Sequence, residues 1–219
     1  MVWMTVFHLC FDLRQAGYLQ ADFYNDVFWT AQRTAIVSLF LWCAGAACTF
    51  NPPWGQFWRR WAQIVGAACL VSAGSYLMFP GSFIYFGVLH GMALMTLLTR
   101  LCLPLGPKRL MVLGMLLMLA PLTAPWLHSR FEVAVLNTPM LNWLGLISHK
   151  PVTEDYVPLL PWWGVMLWGA AMAQRAHAMT TQMTGWTGLA WLGRHSLLYY
   201  LLHQPVMIGA IMAWGWMSR

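Results

Sequence analysis

His8 and Asp12 lie four residues apart within the first apolar stretch of the chain. One face of a helix would carry both side chains, and a carboxylate beside an imidazole fixes the tautomer of the ring and raises its basicity. Such a pair would suit a general base, which removes a proton from a reacting group. A second interpretation stays open, in which Asp12 ends the helix in interfacial water and His8 makes an ordinary hydrogen bond with a neighbour.

A second group of chemically capable residues recurs near the C-terminus. His195, Tyr199 and His203 follow one another at four-residue intervals, and Gln204 and Pro205 come directly after them. Pro205 removes one helical hydrogen bond and frees a carbonyl group, which is a usual way to make a polar site within a membrane helix. The spacing therefore indicates either a polar site on one helical face or packing between helices.

Three residues in the middle of the chain are candidates for binding a substrate. His90 is flanked by Gly87 and Gly91, which allow helices to approach closely, and it is either a packing residue or a ligand-binding residue. Asp155 and Tyr156 open a later apolar stretch, where an acid in the first turn stabilises the helix dipole. Recognition of an acceptor substrate is the alternative role for this pair.

Other motifs narrow the possible functions. Arg194 and His195 could bind phosphates, although an arginine at that position also anchors a helix. The five cysteines lie in or beside apolar stretches without a CxxC pair, so we interpret them as packing residues and expect no metal site. The sequence has no Walker loop, GxGxxG, GxSxG or HExxH motif. Nucleotide hydrolysis, dinucleotide redox, serine-hydrolase and zinc-protease functions therefore lack their usual signatures.

The elements that must position these residues are membrane helices. Of the 219 residues, 60% are hydrophobic and 8% are charged, whereas an ordinary soluble domain has about 25% charged residues. A spanning helix needs roughly 20 mostly apolar residues. The candidate stretches are 2–13, 34–50, 61–78, 83–99, 110–126, 157–172 and 197–216. The sequence predicts an all-α, polytopic membrane helix bundle of about seven transmembrane helices, with the lipid bilayer as a partner and no nucleic acid.

We expect a single transmembrane domain over residues 1–219, because neither an internal repeat nor a separate soluble segment interrupts the pattern. The stretch 2–13 supplies only about two thirds of a span. We therefore expect either a re-entrant first helix or a start upstream of Met1. The short apolar piece 140–147 is expected to dip into the interface or to cap a cavity.

Charge placement predicts the orientation of the bundle. The basic residues of the short loops are Arg59, Arg60, Arg100, Lys108, Arg109, Arg175 and Arg194. By the positive-inside rule these loops are cytoplasmic, which puts the N-terminus in the cytoplasm and the C-terminus outside. The acids all fall on the opposite side: Asp12, Asp22, Asp26, Glu132, Glu154 and Asp155.

Four segments together resemble the bacterial branch of the heparan-alpha-glucosaminide N-acetyltransferase catalytic-domain family. They are 7–13 (FHLCFDL), 83–90 (FIYFGVLH), 155–162 (DYVPLLPW) and 192–205 (LGRHSLLYYLLHQP). The resemblance runs nearly from end to end, and the last segment is the most specific. It implies a multi-pass enzyme of the bacterial inner membrane that transfers an acetyl group from acetyl-CoA, its acyl donor, to an amine or hydroxyl of a sugar or envelope glycan.

The chain also departs from its relatives. In the related acyltransferases an arginine precedes the first helix and a histidine follows at a fixed distance. His8 is similar to that histidine, and the arginine position would fall upstream of Met1. The lysosomal relatives are longer and carry a catalytic histidine in the first outer loop, for which this chain has no match.

The resulting hypothesis places acetyl-CoA at the basic inner face, where its phosphates would meet Arg59, Arg60, Lys108 and Arg109. His8, oriented by Asp12, would deprotonate the acceptor. His90, Tyr199 and His203 are candidates for holding the acyl carbonyl or the acceptor. Direct transfer and an acyl-histidine intermediate are both compatible with the sequence, as is an oligomer.

Two other functions are compatible with the residues alone. A proton-coupled transporter or channel would also use buried histidines and a proline within a helix, although it predicts interrupted helices in two related halves. A non-catalytic membrane scaffold would be favoured if the histidines faced lipid or separate regions of the bundle.

Overall fold

The computed structural model describes residues 1–131, 133–179, 193 and 195–217. Short 3₁₀ turns follow α4 and α5, and two more lie in the loop before α7. The helices are α1 (Val2–Gln15), α2 (Val27–Cys48), α3 (Trp54–Met78), α4 (Val88–Cys102), α5 (Pro107–Leu119), α6 (Ala124–Arg130), α7 (Leu159–Met179) and α8 (Ser196–Met217).

The described residues form helices and loops without a β-strand, apart from one isolated bridge between Phe86 and Tyr156. Five helical segments in this part of the chain are long and apolar enough to cross a membrane: Val27–Cys48, Trp54–Met78, Val88–Leu105, Pro107–Arg130 and Ser196–Met217. The prediction of an all-α membrane helix bundle is therefore confirmed, and the chain is a multi-pass membrane protein. Helix α1 has 14 residues, about 21 Å, so it is short for a bilayer core of about 30 Å.

Two compact units divide the chain. The first comprises Met1–Val37 and Gln182–Arg219, and the second comprises Ser38–Thr181. In the first unit, α1 packs against α8. An aromatic cluster supports α1, in which Phe23 lies 5.5 Å from Phe7 and 4.1 Å from Trp29 between ring centroids. Asp26 caps the start of α2 by accepting a hydrogen bond from the backbone N–H of Phe28 at 2.8 Å.

The second unit is built on close contacts between helix backbones. A Cβ atom added to Gly45 of α2 would collide with the carbonyl oxygen of Met166 in α7, and one added to Gly169 would collide with the carbonyl oxygen of Trp42. Gly114 of α5 and Gly164 of α7 face each other in the same way. These glycines let helices pack backbone to backbone, as small residues do in membrane proteins.

Helix α4 begins later than the apolar pattern predicts. The pattern extends from residue 83, but the segment before Val88 is extended and lies beside the segment that leads into α7. The backbone N–H of Glu154 donates to the carbonyl of Ser82 at 2.9 Å, and that of Val157 donates to the carbonyl of Phe86 at 3.3 Å. His90 therefore lies in the first turn of α4 instead of farther along a helix that begins at residue 83.

One end of the second unit collects basic residues. The guanidinium of Arg100, near the end of α4, lies 4.1 Å from the ring centroid of Trp54 at the start of α3. It also donates to the carbonyl of Pro52 at 2.7 Å. The side chain of Gln174 donates to the carbonyl of Leu103 at 3.1 Å, which brings the end of α7 to the same place. The exposed cations Arg59, Arg60, Lys108, Arg109 and Arg175 belong to this end.

Candidate active site

Helices α1 and α8 bring together the two groups of residues singled out by spacing. The imidazole rings of His8 and His203 face each other with centroids 5.2 Å apart and planes at 62°. One turn away, the hydroxyl of Thr5 hydrogen-bonds the hydroxyl of Tyr199. The Tyr199 ring stacks on His203 with a centroid distance of 5.8 Å and nearly parallel planes. The four-residue spacing on each helix therefore produces one polar seam between them.

The ring of His203 is held in a defined tautomer. Its Nδ1 lies 2.7 Å from the carbonyl oxygen of Tyr200, and a carbonyl can only accept, so Nδ1 carries the proton. The other ring nitrogen, Nε2, then presents a lone pair. His203 is only 9% exposed, and its Nε2 is buried with no hydrogen-bond partner among the described residues. This nitrogen is ready to accept a proton or a hydrogen bond.

The carboxylate of Asp12 is the other buried acceptor of the seam. Asp12 is 6% exposed, and the side chain of Gln204 hydrogen-bonds to it. Its Oδ2 has no partner within the described ranges. The sequence predicts that Asp12 orients His8, whereas the structure joins Asp12 to Gln204 and sets His8 against His203. Orientation of His8 by Asp12 stays a prediction.

The remaining C-terminal candidates lie at the start of α8. The carbonyl of His195 accepts a hydrogen bond from the backbone N–H of Tyr199 at 3.0 Å, and the side chain of His195 is exposed. Pro205 lies inside α8, which continues to Met217. Arg194 lies outside the described residues.

His90 belongs to the second unit, where both of its ring nitrogens are engaged. Nδ1 accepts from the backbone N–H of Gly87 at 3.3 Å, and Nε2 lies 3.0 Å from the hydroxyl of Ser72. That hydroxyl donates to the carbonyl of Ile84 at 2.6 Å, so Nε2 is the donor to Ser72. His90 thus caps the first turn of α4 and joins it to α3.

Asp155 caps the same helix from another segment. Its Oδ2 accepts from the backbone N–H of Val88 at 2.7 Å, and a Cβ on Gly87 would collide with the same oxygen. The sequence predicts that Asp155 stabilises the helix that follows it. The structure instead uses Asp155 at the start of α4, because the segment before α7 runs beside the segment before α4.

Tyr156 takes part in a small, partly buried network with two residues that sequence reasoning missed. Its hydroxyl donates to the backbone carbonyl of Asn142 at 2.6 Å, and the Asn142 amide donates to the hydroxyl of Tyr85 at 2.6 Å. Burial raises the pKa of Tyr156, and the nearby Tyr85 adds to that increase. Burial also raises the pKa of Tyr85. Asn142 was detectable as a lone amide in the short apolar piece 140–147.

A comparison with known protein families bears directly on this arrangement. The family model described as "Heparan-alpha-glucosaminide N-acetyltransferase, catalytic" matches residues 1–205. The chain belongs to this family. The match includes both histidines of the α1–α8 seam and the network around α4, and it confirms the resemblance drawn from the four sequence segments. No curated protein and no solved structure matches the chain.

Membership in the heparan-alpha-glucosaminide N-acetyltransferase catalytic family places the chain among membrane acetyltransferases. Among the family-matched residues, the structure gathers His8, Asp12, Tyr199, His203 and Gln204 in the first unit. It gathers His90, Asp155 and Tyr156 in the second. The described residues contain no group of three His, Cys, Asp or Glu side chains arranged to hold a metal ion. Thr5 and Ser72 are further partners that sequence reasoning missed, since isolated hydroxyl residues carry no distinctive spacing.

Proposed function

We propose that this family member is a membrane-embedded acyltransferase that moves an acetyl group from acetyl-CoA to an amine or hydroxyl of a sugar or envelope glycan. The observation that carries the proposal is the pairing of His8 with His203, whose Nε2 is buried and free to accept. Family membership supplies the reaction class. The substrates and the roles of individual residues are our inference.

The reaction needs one base and one proton donor. The acceptor attacks the carbonyl carbon of the acetyl thioester, so a C–N or C–O bond forms and the C–S bond breaks. The proton leaving the acceptor passes to imidazole and then to the sulfur of CoA, which departs as a thiol. In our proposal His8 takes that proton as general base, and Asp12 favours the protonated ring electrostatically.

His203 can act in fewer ways than His8, because only one of its ring nitrogens is available. Because its Nδ1–H is held by the carbonyl of Tyr200, Nε2 can accept a hydrogen bond but cannot donate one to an acyl oxygen. We assign His203 to the acceptor, where its Nε2 would accept a hydrogen bond from an N–H or O–H other than the one that His8 deprotonates. The hydroxyl of Tyr199 is the better candidate for the acyl carbonyl because a hydroxyl can donate. Since Thr5 donates to the carbonyl of Met1, Tyr199 donates to Thr5 and would exchange that hydrogen bond for one to the acyl oxygen.

The donor would approach the basic end of the second unit. Lys108 and Arg109 lie in the first turn of α5, where the helix dipole adds to their positive charge, and Arg59 and Arg60 lie in the N-terminal part of α3. All four side chains are exposed. An electropositive end of this kind would attract the phosphates of acetyl-CoA. Together with the positive-inside rule, it supports an inner-membrane protein with this end, and the N-terminus, in the cytoplasm.

His90, Asp155 and Tyr156 have structural contacts that account for their positions. We assign them to shaping the start of α4 and the loop before α7, at the end of the unit opposite the basic cluster. A direct contact with the acceptor stays a prediction for these three residues, as does phosphate binding by Arg194 and His195.

The test is acetyl transfer by the purified full chain, reconstituted in lipid vesicles and given radiolabelled acetyl-CoA and an envelope glycan extract. A form that retains any upstream coding sequence is assayed in parallel. We expect label in the glycan fraction and a loss of about 10²- to 10⁴-fold in rate for His8→Ala, the usual contribution of a general base.

The matched control is His149→Ala, because His149 is an exposed loop histidine. It should leave the rate unchanged. Full transfer by His8→Ala would remove His8 from the mechanism. If neither the chain nor its upstream-extended form transfers label although both are folded, the transporter function would be favoured over the acyltransferase.

A further inference from the structure

The start of α3 is an exposed helix terminus without a side-chain cap. Pro53 is the N-cap residue, it makes no side-chain hydrogen bond, and the first turn contains no acid. The first helical bond runs from the N–H of Phe57 to the carbonyl of Pro53, and the backbone N–H groups of residues 54–56 have no partner among the described residues. Gly55 is exposed and has open space beside its Cα. These N–H groups can therefore be reached from outside the protein.

A buried cation lies against the same helix terminus. Arg100 of α4 is only 8% exposed, its Nη2 donates to the carbonyl of Pro52 at 2.7 Å, and its Cζ lies 4.1 Å from the ring centroid of Trp54. A guanidinium has five N–H donors, yet Arg100 makes no other hydrogen bond with the described residues. Its Nε is buried without a partner. The guanidinium is thus held beside the start of α3 with donors unused.

Within the described part of the second unit, no acid lies near this cation. Glu154 and Asp155 are the acids of that part, and Asp155 caps Val88 at the far end of α4, about 18 Å along the helix from Arg100. The neighbouring thiol of Cys48 is uncharged at neutral pH. The dipole of α3 adds partial positive charge at the same place, which repels the guanidinium. Because a buried charge needs a partner, we expect an anion from outside the chain.

We propose that the start of α3 and Arg100 together form a binding site for a phosphate group. Backbone N–H groups at a helix N-terminus and a forked guanidinium are donors that suit phosphate oxygens. Arg59 and Arg60 are exposed in the next turn of α3 and add positive charge. The negative charge of phosphate then offsets both the buried cation and the positive end of the helix.

The position of the site allows two sources for the phosphate. Trp54 begins a segment long and apolar enough to span a membrane, so the site lies at an end of that span, where lipid headgroups and dissolved phosphate compounds both reach it. One source is acetyl-CoA, in which case the inference rests on the proposed function and names a direct contact of the donor. The other is the headgroup of an anionic lipid, which requires no acetyl transfer.

Gly55→Asp tests the site without weakening the fold. The new side chain has room, and an acid in the first turn favours the helix dipole, so the variant should unfold at no lower temperature than wild type. Its carboxylate would place negative charge at the free N–H groups and repel phosphate. Gly55→Asn adds a side chain of the same shape without the charge. Gly81→Asp adds the same charge at an open glycine in the turn between α3 and α4.

Two measurements on the full-length protein distinguish the sources. In the first, CoA is titrated by calorimetry into protein in phosphatidylcholine discs at about 0.15 M salt, where exposed charges more than about 8 Å apart are largely screened. In the second, without CoA, retention of phosphatidylglycerol relative to phosphatidylcholine is measured after extraction from mixed vesicles. Gly55→Asp should weaken binding of at least one probe by about tenfold or more, and the two control variants by less than about threefold.

A loss confined to CoA assigns the site to the acyl donor, a loss confined to phosphatidylglycerol assigns it to the lipid headgroup, and a loss for both shows that they share it. Wild-type protein that binds neither probe would overturn the proposal, as would Gly55→Asp protein that binds both as tightly as wild type. Folded Arg100→Lys protein lacks the forked donors and should bind the same probe severalfold more weakly, and unchanged binding would remove Arg100 from the site. Because these readouts are binding and not turnover, the glycan assay decides separately on the acyltransferase.

Discussion

His8 and His203 face each other across α1 and α8 with their ring centroids 5.2 Å apart. The two residues are separated by nearly the whole sequence, yet each belongs to a four-residue repeat of polar side chains on its own helix. Packing one repeat against the other brings two imidazoles, a carboxylate and a tyrosine into a single seam. Such a set of groups can both bind a nucleophile and remove its proton.

Asp12 should matter for stability as well as for catalysis. Asp12→Ala leaves the amide of the half-buried Gln204 without its carboxylate partner, which costs about 1 to 3 kcal/mol. Asp12→Asn retains an oxygen for Gln204 but removes the charge, so it should lose acetyl transfer with a smaller loss of stability. Thermal unfolding and transfer rates of both variants measure the two effects. Equal stability of Asp12→Ala and wild type would contradict the buried hydrogen bond.

The close contact of α2 with α7 predicts opposite effects of the same substitution at two glycines. Gly169→Ala places a methyl group against the carbonyl of Trp42, and a packed backbone cannot yield easily, so we expect a loss of about 1 to 3 kcal/mol. Gly66→Ala, on α3 in open space, should be neutral or stabilising by up to about 1 kcal/mol. The apparent unfolding temperatures of the purified proteins distinguish the two. A stable Gly169→Ala variant would show that α2 and α7 do not approach so closely.

Arg100 should hold the loop between α2 and α3 in place through its contacts with Pro52 and Trp54. Its guanidinium lies over Trp54 at 4.1 Å and Phe57 at 4.6 Å, and it is 8% exposed. Arg100→Lys keeps the charge but loses the planar stacking and the forked donors, so it should destabilise the protein by about 1 to 2 kcal/mol. Arg100→Ala should cost more. Limited proteolysis of the 49–53 loop tests the same contact, since only a released loop would be cut faster.

Because Tyr156 is partly buried, we expect the stability of the folded protein to fall at alkaline pH. Its pKa is raised by burial in the folded protein, whereas an unfolded tyrosine titrates near pH 10. Below about pH 10 both states hold the proton, and above it the unfolded state loses the proton first, so the native state is progressively destabilised. Tyr156→Phe should lose less stability than wild type between about pH 9 and pH 11. Parallel curves for the two proteins would rule out this contribution.

The sequence predicts the fold class because composition decides it. The bounds of α4 differ from the predicted apolar stretch because a contact between distant segments overrides the apolar pattern. Residues 83–87 are apolar enough to continue α4, but they lie extended beside the segment before α7. A contact between distant segments of this kind leaves no periodic signal. The same contact explains why Asp155 caps α4 and why both nitrogens of His90 are engaged.

For the candidate site, too, the sequence predicts some features and not others. The spacing of His8 with Asp12 and of Tyr199 with His203 identifies the correct helical faces, because an α-helix repeats every 3.6 residues. It does not identify partners across helices, so Gln204 as the partner of Asp12 and Thr5 as the partner of Tyr199 come only from the structure. Single hydroxyl and amide residues have no pattern from which such pairing could be inferred.

The most direct test of the account is a double-mutant cycle on acetyl transfer with His8→Ala, His203→Ala and both together. If the two imidazoles act as one unit on the acceptor, each single variant should be slow, and the double variant should be no more than about threefold slower than the slower single variant. Losses that multiply, or full activity in either single variant, would contradict the claim that the His8–His203 pair carries the chemistry.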